Sequence, residues 1–158
     1  MKRLGVDHGL ARVGLAIADD ESGLAHPLQT LAGKDHEALA KQVAARAGQE
    51  GASEIVVGLP LALDGSEGGA ARRARKFADR VKALTALPVV LWDERLTSAQ
   101  AERALTEMAV RGARKREVVD QVAAALILQS YIDFVARKKE LSWHGAAEPD
   151  DDPGSRAR

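Results

Sequence analysis

The chain has 158 residues, a length typical of one domain with a sizeable core; 46% of the residues are hydrophobic and 29% are charged. Lysine and arginine together number 23, as do aspartate and glutamate, so the net charge is zero and bulk charge gives no argument for nucleic-acid binding. The sequence contains no cysteine, which excludes disulfides and thiolate metal sites.

The first residues run directly into a strand-like segment without the features of a signal peptide, and no apolar run comes near the roughly 20 residues that span a bilayer. We therefore expect a cytoplasmic protein that is not bound to a membrane. Basic residues occur in clusters, whereas residues 148–152 are acidic. The body of the protein is consequently more basic than its net charge indicates.

The first part of the chain predicts three short strands. Residues 3–7 and 12–18 form two of them, joined by a tight turn. In the second, bulky aliphatic residues alternate with glycine and alanine, so its small-residue face would let another element pack closely. A third strand over residues 24–31 contains Pro27, which favours the edge of a sheet.

Later segments alternate between helical and strand patterns. In order, they predict a helix capped by Asp35, a strand at 54–58, a helix ending near 84, a strand at 88–92, a helix beginning at Thr97 or Ser98, and a long helix over about 117–138. This order predicts an α/β fold over residues 1–140, with a mixed five-stranded sheet and helices on both faces. Residues 141–158 are expected to form a disordered tail.

Two candidate acidic positions directly follow predicted strands, where α/β sheets gather their ligands. Asp7 ends the first strand and can hold a cation or polarise a water, although capping of a turn is the alternative. The pair Asp93 and Glu94 follows the strand at 88–92 and would share the edge with Asp7 if the strands are parallel. The alternatives for that pair are a solvated loop or an Asp93–Arg95 contact that fixes the next helix.

Asp120 lies early in the long helix, one turn before Ala123 and Ala124, whose small side chains would let the helix press against the sheet. An acid in that position is costly to bury unless it is paired or binds a cation. A favourable charge near a helix N-terminus is the alternative. Asp133 lies about 20 Å further along the helix, too far to share a metal with Asp120. Hard oxygen ligands without cysteine or paired histidine indicate Mg²⁺ or Mn²⁺.

A glycine-rich loop and clusters of basic residues form the candidate nucleic-acid contact. Gly58 and Pro60 open the loop, and its glycines would let the backbone approach a phosphate before the next helix offers its N-terminal N–H groups. The cationic candidates are Arg12, Arg72, Arg73, Arg95, Arg114 and Lys115. Solvated helix faces are the alternative explanation for these residues.

Four motifs occur in one order along residues 3 to about 138. They are Val6-Asp7-His8-Gly9 with Arg12-Val13-Gly14-Leu15-Ala16, then Val57-Gly58-Leu59-Pro60-Leu61, then Trp92-Asp93-Glu94-Arg95-Leu96-Thr97-Ser98, and finally Asp120 with Ala123-Ala124. Together they resemble the YqgF family of Holliday-junction-resolvase-like proteins, also named pre-16S rRNA nucleases. The resemblance implies a ribonuclease-H-like fold and a cytoplasmic bacterial protein that processes the 5′ end of precursor 16S rRNA.

The resemblance also implies a set of catalytic acids: Asp7, Glu94 and Asp120, with Asp93 as the alternative to Glu94. These acids would bind two Mg²⁺ or Mn²⁺ ions that cut a phosphodiester. A resolvase-like nuclease acting on branched DNA and a non-catalytic nucleic-acid-binding module of the same fold remain alternatives, because fold does not fix function. An actin-like ATPase half is disfavoured, since the chain predicts only one lobe. The choice between monomer and homodimer is open.

Overall fold

The computed structural model describes residues 1–97, 103, 107 and 115–145, and its elements follow the predicted order. The strands are β1 (Lys2–His8), β2 (Arg12–Asp19), β3 (Leu24–Ala32), β4 (Ala52–Leu59) and β5 (Val89–Asp93). The helices are α1 (His36–Gln49), α2 (Gly69–Leu84) and α3 (Lys115–Gly145), and a short 3-10 helix covers Glu94–Leu96. The helix predicted after Thr97 lies outside the described residues, apart from Arg103 and Glu107, which are helical.

All five strands form one mixed sheet in the order β3-β2-β1-β4-β5. β1 and β3 run antiparallel to β2, whereas β4 runs parallel to both β1 and β5. Pro27 lies in β3 at the edge, as its missing N–H predicts. Because β1, β4 and β5 are parallel, their carboxyl ends meet at one edge of the sheet, and this edge carries Asp7, Gly58 and Asp93.

Helices cover both faces of the sheet, which confirms the predicted layers. On one face α1 and α2 pack against bulky strand residues, and Phe77 of α2 is 1% exposed. Burying such a side chain contributes about 1.5–3 kcal/mol. Asp35 caps α1 by accepting a hydrogen bond from the Ala38 N–H at 3.2 Å, as expected from the sequence. On the other face lies α3, over the small residues of the strands.

Glycines let α3 lie very close to the sheet. A Cβ at Gly5 would come within 2.8 Å of the Leu128 Cβ, and one at Gly14 would overlap the backbone oxygen of Asp120. The predicted close packing against the small-residue face of β2 is therefore confirmed, and α3 is the element that uses it. This packing fixes the start of α3, and with it Asp120, beside the end of β1.

The apolar character of α3 was underestimated from the sequence. By length and composition alone, the segment Val118–Ser142 could cross a membrane. The expectation that no apolar run is long enough to span a bilayer is therefore wrong by this measure. The buried residues of the segment pack against the sheet instead: Val122, Ala124, Ala125, Ile127, Leu128 and Ile132. A core helix of a folded domain has this character. α3 also continues to Gly145, so residues 141–145 of the expected tail are helical.

A buried polar cluster lies at the end of the sheet opposite to Asp7. Arg3 is only 4% exposed, and its Nε donates to the Glu54 carboxylate at 2.8 Å while its Nη1 pairs with Asp20. The Tyr131 hydroxyl of α3 donates to the same glutamate at 2.6 Å. Removing one partner of such a cluster leaves a buried charge uncompensated, at a cost of about 3–5 kcal/mol. The cluster therefore ties β1, β4 and α3 together away from the candidate site.

Candidate active site

Asp7 is a half-buried carboxyl at the end of β1, on the face that α3 covers. It lies directly opposite Gly14 of β2, and opposed residues of antiparallel strands share a face. Burial raises the pKa of Asp7 from its ordinary value of 3.8 to about 6, and repulsion from Asp120 adds to the shift. Asp7 and Asp120 are thus brought close together, as the sequence predicted for these two acids.

Glu94 follows β5 and opens the short 3-10 helix beside Asp7. Burial raises its pKa from 4.5 to about 7, with further contributions from the charges of Asp7 and Asp93. A Cβ at Gly58 would lie 2.6 Å from the Glu94 Oε1 and 2.5 Å from Ile127. The glycine at the end of β4 therefore makes room for the Glu94 carboxyl, a role that the sequence did not reveal. Its predicted contact with nucleic acid stays a prediction.

Asp120 is held by an ion pair that joins α3 to the start of β2. The Arg12 Nε donates to its Oδ2 at 2.7 Å, and the two side chains are 41% and 21% exposed, respectively. Arg12, predicted from the sequence to contact nucleic acid, is therefore engaged with a candidate catalytic acid. Asp120 thus interacts with both the Arg12 cation and the carboxyl of Asp7.

Asp93 and Arg95 form a pair of their own. The Asp93 carboxylate accepts from the Arg95 backbone N–H at 2.9 Å and from its Nε and Nη2 at 3.0 and 2.7 Å. These bonds hold the pKa of Asp93 below its usual range, with the side-chain bond to Arg95 as the largest cause. Asp93 therefore caps the 3-10 helix and neutralises Arg95. Of the two neighbours, Glu94 is the one whose titration responds to Asp7.

The donor chemistry of the site fits a divalent cation. Within residues 1–97, 103, 107 and 115–145, no three His, Cys, Asp or Glu side chains are grouped so that they could hold a metal ion. Mg²⁺, however, is usually bound by one or two carboxylates, while water and substrate phosphates supply the other oxygens. Asp7 and Glu94 provide two such ligands, and a cation there would relieve the repulsion between them. That Asp120 joins them stays a prediction.

Asp7 and Glu94 should make the metal-free protein less stable as the pH rises. Their raised pKa values, about 6 and about 7, mean that the folded state binds more protons than the unfolded state above about pH 4. The stability they contribute is therefore complete at low pH and is lost as the pH rises through these values. Urea denaturation in EDTA gives the free energy of unfolding of wild type and of the double variant Asp7→Asn/Glu94→Gln. Relative to the variant, the wild-type value should fall between about pH 5 and pH 8. A difference in the free energy of unfolding between the two proteins that does not change with pH would contradict the raised pKa values.

The remaining predicted nucleic-acid contacts lie on α2, in the loop after β4 and outside the described residues. Arg72 and Arg73 are exposed on the first turn of α2, and Arg72 donates to the Glu67 carbonyl at 3.1 Å. Pro60 is half-buried at the start of the loop. Arg114 and the Lys115 side chain lie outside the described residues. These four cationic contacts stay predictions.

A pair of histidines lies on the face of the sheet that α1 and α2 cover. The ring nitrogens His8 Nε2 and His36 Nδ1 are 3.0 Å apart, and Phe77 packs on the His8 ring with centroids 4.6 Å apart. Burial first, and then the charges of His36 and two arginines, lowers the pKa of His8 to about 4. His8 therefore supports the turn after Asp7 as a neutral ring at ordinary pH.

With this geometry in view, a family model described as "RuvX: Holliday junction resolvase" matches residues 1–134. The chain belongs to the RuvX family. Among its relatives, a protein of Nitrosospira multiformis named "Putative pre-16S rRNA nuclease" is 48% identical over 130 residues, which cover 82% of this chain and 86% of that protein. A protein of the same name from Chloroflexus aggregans is 42% identical, over 82% of this chain and 92% of that protein. The family that the motifs predicted is confirmed.

Solved structures show that this RuvX protein has a ribonuclease-H-like fold. RuvC of Thermus thermophilus, in complex with a Holliday junction substrate, matches 85% of this chain and 96% of its own with a TM-score of 0.60 and 16% identity. The fowlpox virus resolvase, in complex with Holliday junction DNA, matches 85% of this chain and 99% of its own with a TM-score of 0.50 and 11% identity. At such identities the likeness concerns the fold alone.

Proposed function

We propose that this protein is a metal-dependent nuclease that hydrolyses phosphodiester bonds at the 5′ end of precursor 16S rRNA. The observation that carries this proposal is the pair Asp7 and Glu94, two carboxyls with raised pKa values at the carboxyl edge of parallel strands. Burial of two interacting acids in one place is typical of functional sites. The names of relatives at 42 to 48% identity support the choice of substrate, and rRNA processing would place the protein in the cytoplasm.

In this mechanism the protein's carboxylates hold Mg²⁺ or Mn²⁺ in a site for two ions. Asp7 and Glu94 would be its first ligands, and Asp120 would complete the set once it is free of Arg12. When bound, the ions activate water and stabilise the leaving oxygen. Arg72, Arg73 and the first turn of α2, which has no acidic residue and no side-chain cap, provide positive potential for the phosphate backbone, together with Arg114 and Lys115.

A second candidate function is cleavage of branched DNA. The family model carries the description of a Holliday junction resolvase, and two structures with the same fold were solved with junction DNA. Paired cuts across a junction would require a symmetric dimer. A module that binds nucleic acid without cutting it is the third candidate, and it predicts no dependence on Asp7 or Glu94.

The experiment compares cleavage of labelled precursor rRNA ends and of a synthetic four-way junction, each with Mg²⁺ and with Mn²⁺. Variants of Asp93 and Glu94 serve as a matched pair, because of these two neighbours Glu94 responds to the charge of Asp7 and Asp93 does not. Glu94→Gln should lower cleavage by at least about a hundredfold, since even residues that only support metal ligands cost 10 to 100-fold. Asp93→Asn should cost less than about tenfold. Equal losses in both variants would reject Glu94 as the ligand, and faster cutting of the junction would favour the second function.

A further inference from the structure

Asp120 has two competing neighbours of opposite charge. The Arg12 guanidinium bonds to its carboxylate at 2.7 Å, while on the other side its charge reaches Asp7. In the described part of the chain, Asp120 is the one acid that forms a salt bridge with Arg12. The Asp120 carboxylate can therefore pair with Arg12 or act at the candidate cation site.

The backbone of Asp120 is fixed, so only its side chain and that of Arg12 can rearrange. The Asp120 carbonyl packs directly on Gly14, where no Cβ would fit. The Arg12 side chain, by contrast, is 41% exposed and lies on a long flexible stem. An arginine fork bonds phosphate as well as carboxylate, so a phosphate in solution can replace Asp120 as its partner.

We propose that Arg12 is a positioning residue that holds Asp120 away from the metal in the free protein and releases it when a nucleic-acid phosphate takes the guanidinium. This inference rests on the proposed nuclease function and adds its regulation. The exchange replaces one ion pair with another, so it costs little. The released carboxylate is no longer neutralised by Arg12, so its negative charge beside Asp7 strengthens cation binding. Nucleic acid and cation therefore bind cooperatively, and the coupling acts equally in both directions.

Mn²⁺ binding to the free protein tests the competition without any cleavage. The signal of unbound Mn²⁺ in electron paramagnetic resonance gives the affinity for wild type, Arg12→Ala, Asp120→Asn and the double variant. Arg12→Ala should bind Mn²⁺ at least about fivefold more tightly, the lower end of typical coupling between sites. In the Asp120→Asn background the same substitution should have no effect. Arg46→Gln, which removes a partly exposed arginine in the last turn of α1 from its pair with Glu50, is the matched control and should not change Mn²⁺ affinity.

Two results would overturn the proposal. Unchanged Mn²⁺ affinity in Arg12→Ala would show that the ion pair does not compete with the cation. A tightening that persists with Asp120→Asn would show that Arg12 acts only through its charge at a distance. Thermal denaturation confirms that each variant is folded, which the exposure of Arg12 favours.

The coupling to nucleic acid is measured with a fluorescent precursor rRNA fragment, in EDTA and in Ca²⁺, which binds oxygen ligands as Mg²⁺ does. Wild type should bind the fragment more tightly with Ca²⁺, and Arg12→Ala should lose this gain. An equal gain in both proteins contradicts the release step. Failure of the nuclease proposal is distinguishable from failure of the Arg12 proposal. In that case wild type would cut no substrate with any metal, whatever its Mn²⁺ affinity.

Discussion

Replacing Asp7 with asparagine is expected to lower cleavage by at least about a hundredfold while the protein stays folded. Asp7 is the central acid of the site, because its charge raises the pKa of Glu94 and the charge of Asp120 raises its own. Asparagine keeps the size of the side chain but binds a cation only through a neutral oxygen. Single-turnover cleavage with saturating Mn²⁺ measures the loss, and full activity of the variant under these conditions would remove Asp7 from the mechanism.

The same substitution should stabilise the metal-free protein. At pH 8 the wild-type carboxyl is ionised although its pKa is raised to about 6, so its charge opposes folding. Removing that charge should increase the free energy of unfolding by about 1 to 3 kcal/mol, given 1.36 kcal/mol for each pKa unit. Urea denaturation in EDTA at that pH makes the comparison. A variant both inactive and less stable would point to damaged folding instead of a lost ligand.

The second large effect is expected for Gly14→Ala, which should destabilise the protein by at least about 3 kcal/mol and also impair cleavage. The new Cβ would overlap the Asp120 backbone oxygen. A backbone atom cannot relieve this overlap by changing rotamer, as a side chain can. α3 must then move away from β2 and carry Asp120 with it. The loss of stability and the loss of activity share this one cause.

Gly48→Ala is the matched control for that substitution. Gly48 lies within α1, and a Cβ there would meet nothing within 4 Å. Alanine in such a helical position should leave cleavage unchanged and raise stability by about 0.4–1 kcal/mol. Urea denaturation should therefore shift in opposite directions for the two variants, and cleavage should fall in Gly14→Ala alone. Wild-type stability in Gly14→Ala would show that α3 does not depend on this contact.

Much of the fold follows from local patterns in the sequence. The alternation in β2, the β-branched run of β4 and the four-residue spacing of α1 each indicate one element and its buried face. The order of elements then places β1, β4 and β5 in parallel. For that reason the meeting of Asp7 with Glu94 at one edge was predictable from strand ends alone.

Other features depend on contacts between distant residues that one sequence does not reveal. Arg12 and Asp120 are separated by 108 positions, and nothing near either residue indicates its partner. The buried cluster of Arg3, Glu54 and Tyr131 is similar, because each residue separately resembles a surface residue. Asp93 and Glu94 are neighbours in sequence, and only the fork of Arg95 bonds distinguishes them.

The importance of Gly14 was visible only in part. Its small size was recognised as part of a face open to close packing, but the partner on that face lies more than a hundred residues away. The predicted end of α3 at about residue 138 was too early, although lysine, glutamate and leucine after residue 137 are good helix formers. Local propensity there favoured the helix over the expected disorder.

Crystals grown with Mn²⁺ test the mechanism most directly, because anomalous scattering locates the ion independently of activity. We predict a Mn²⁺ peak bound by carboxylate oxygens of Asp7 and Glu94, while Asp93 stays paired with Arg95. A peak at Asp93, or saturating Mn²⁺ with no ion at Asp7, would contradict the metal-dependent mechanism.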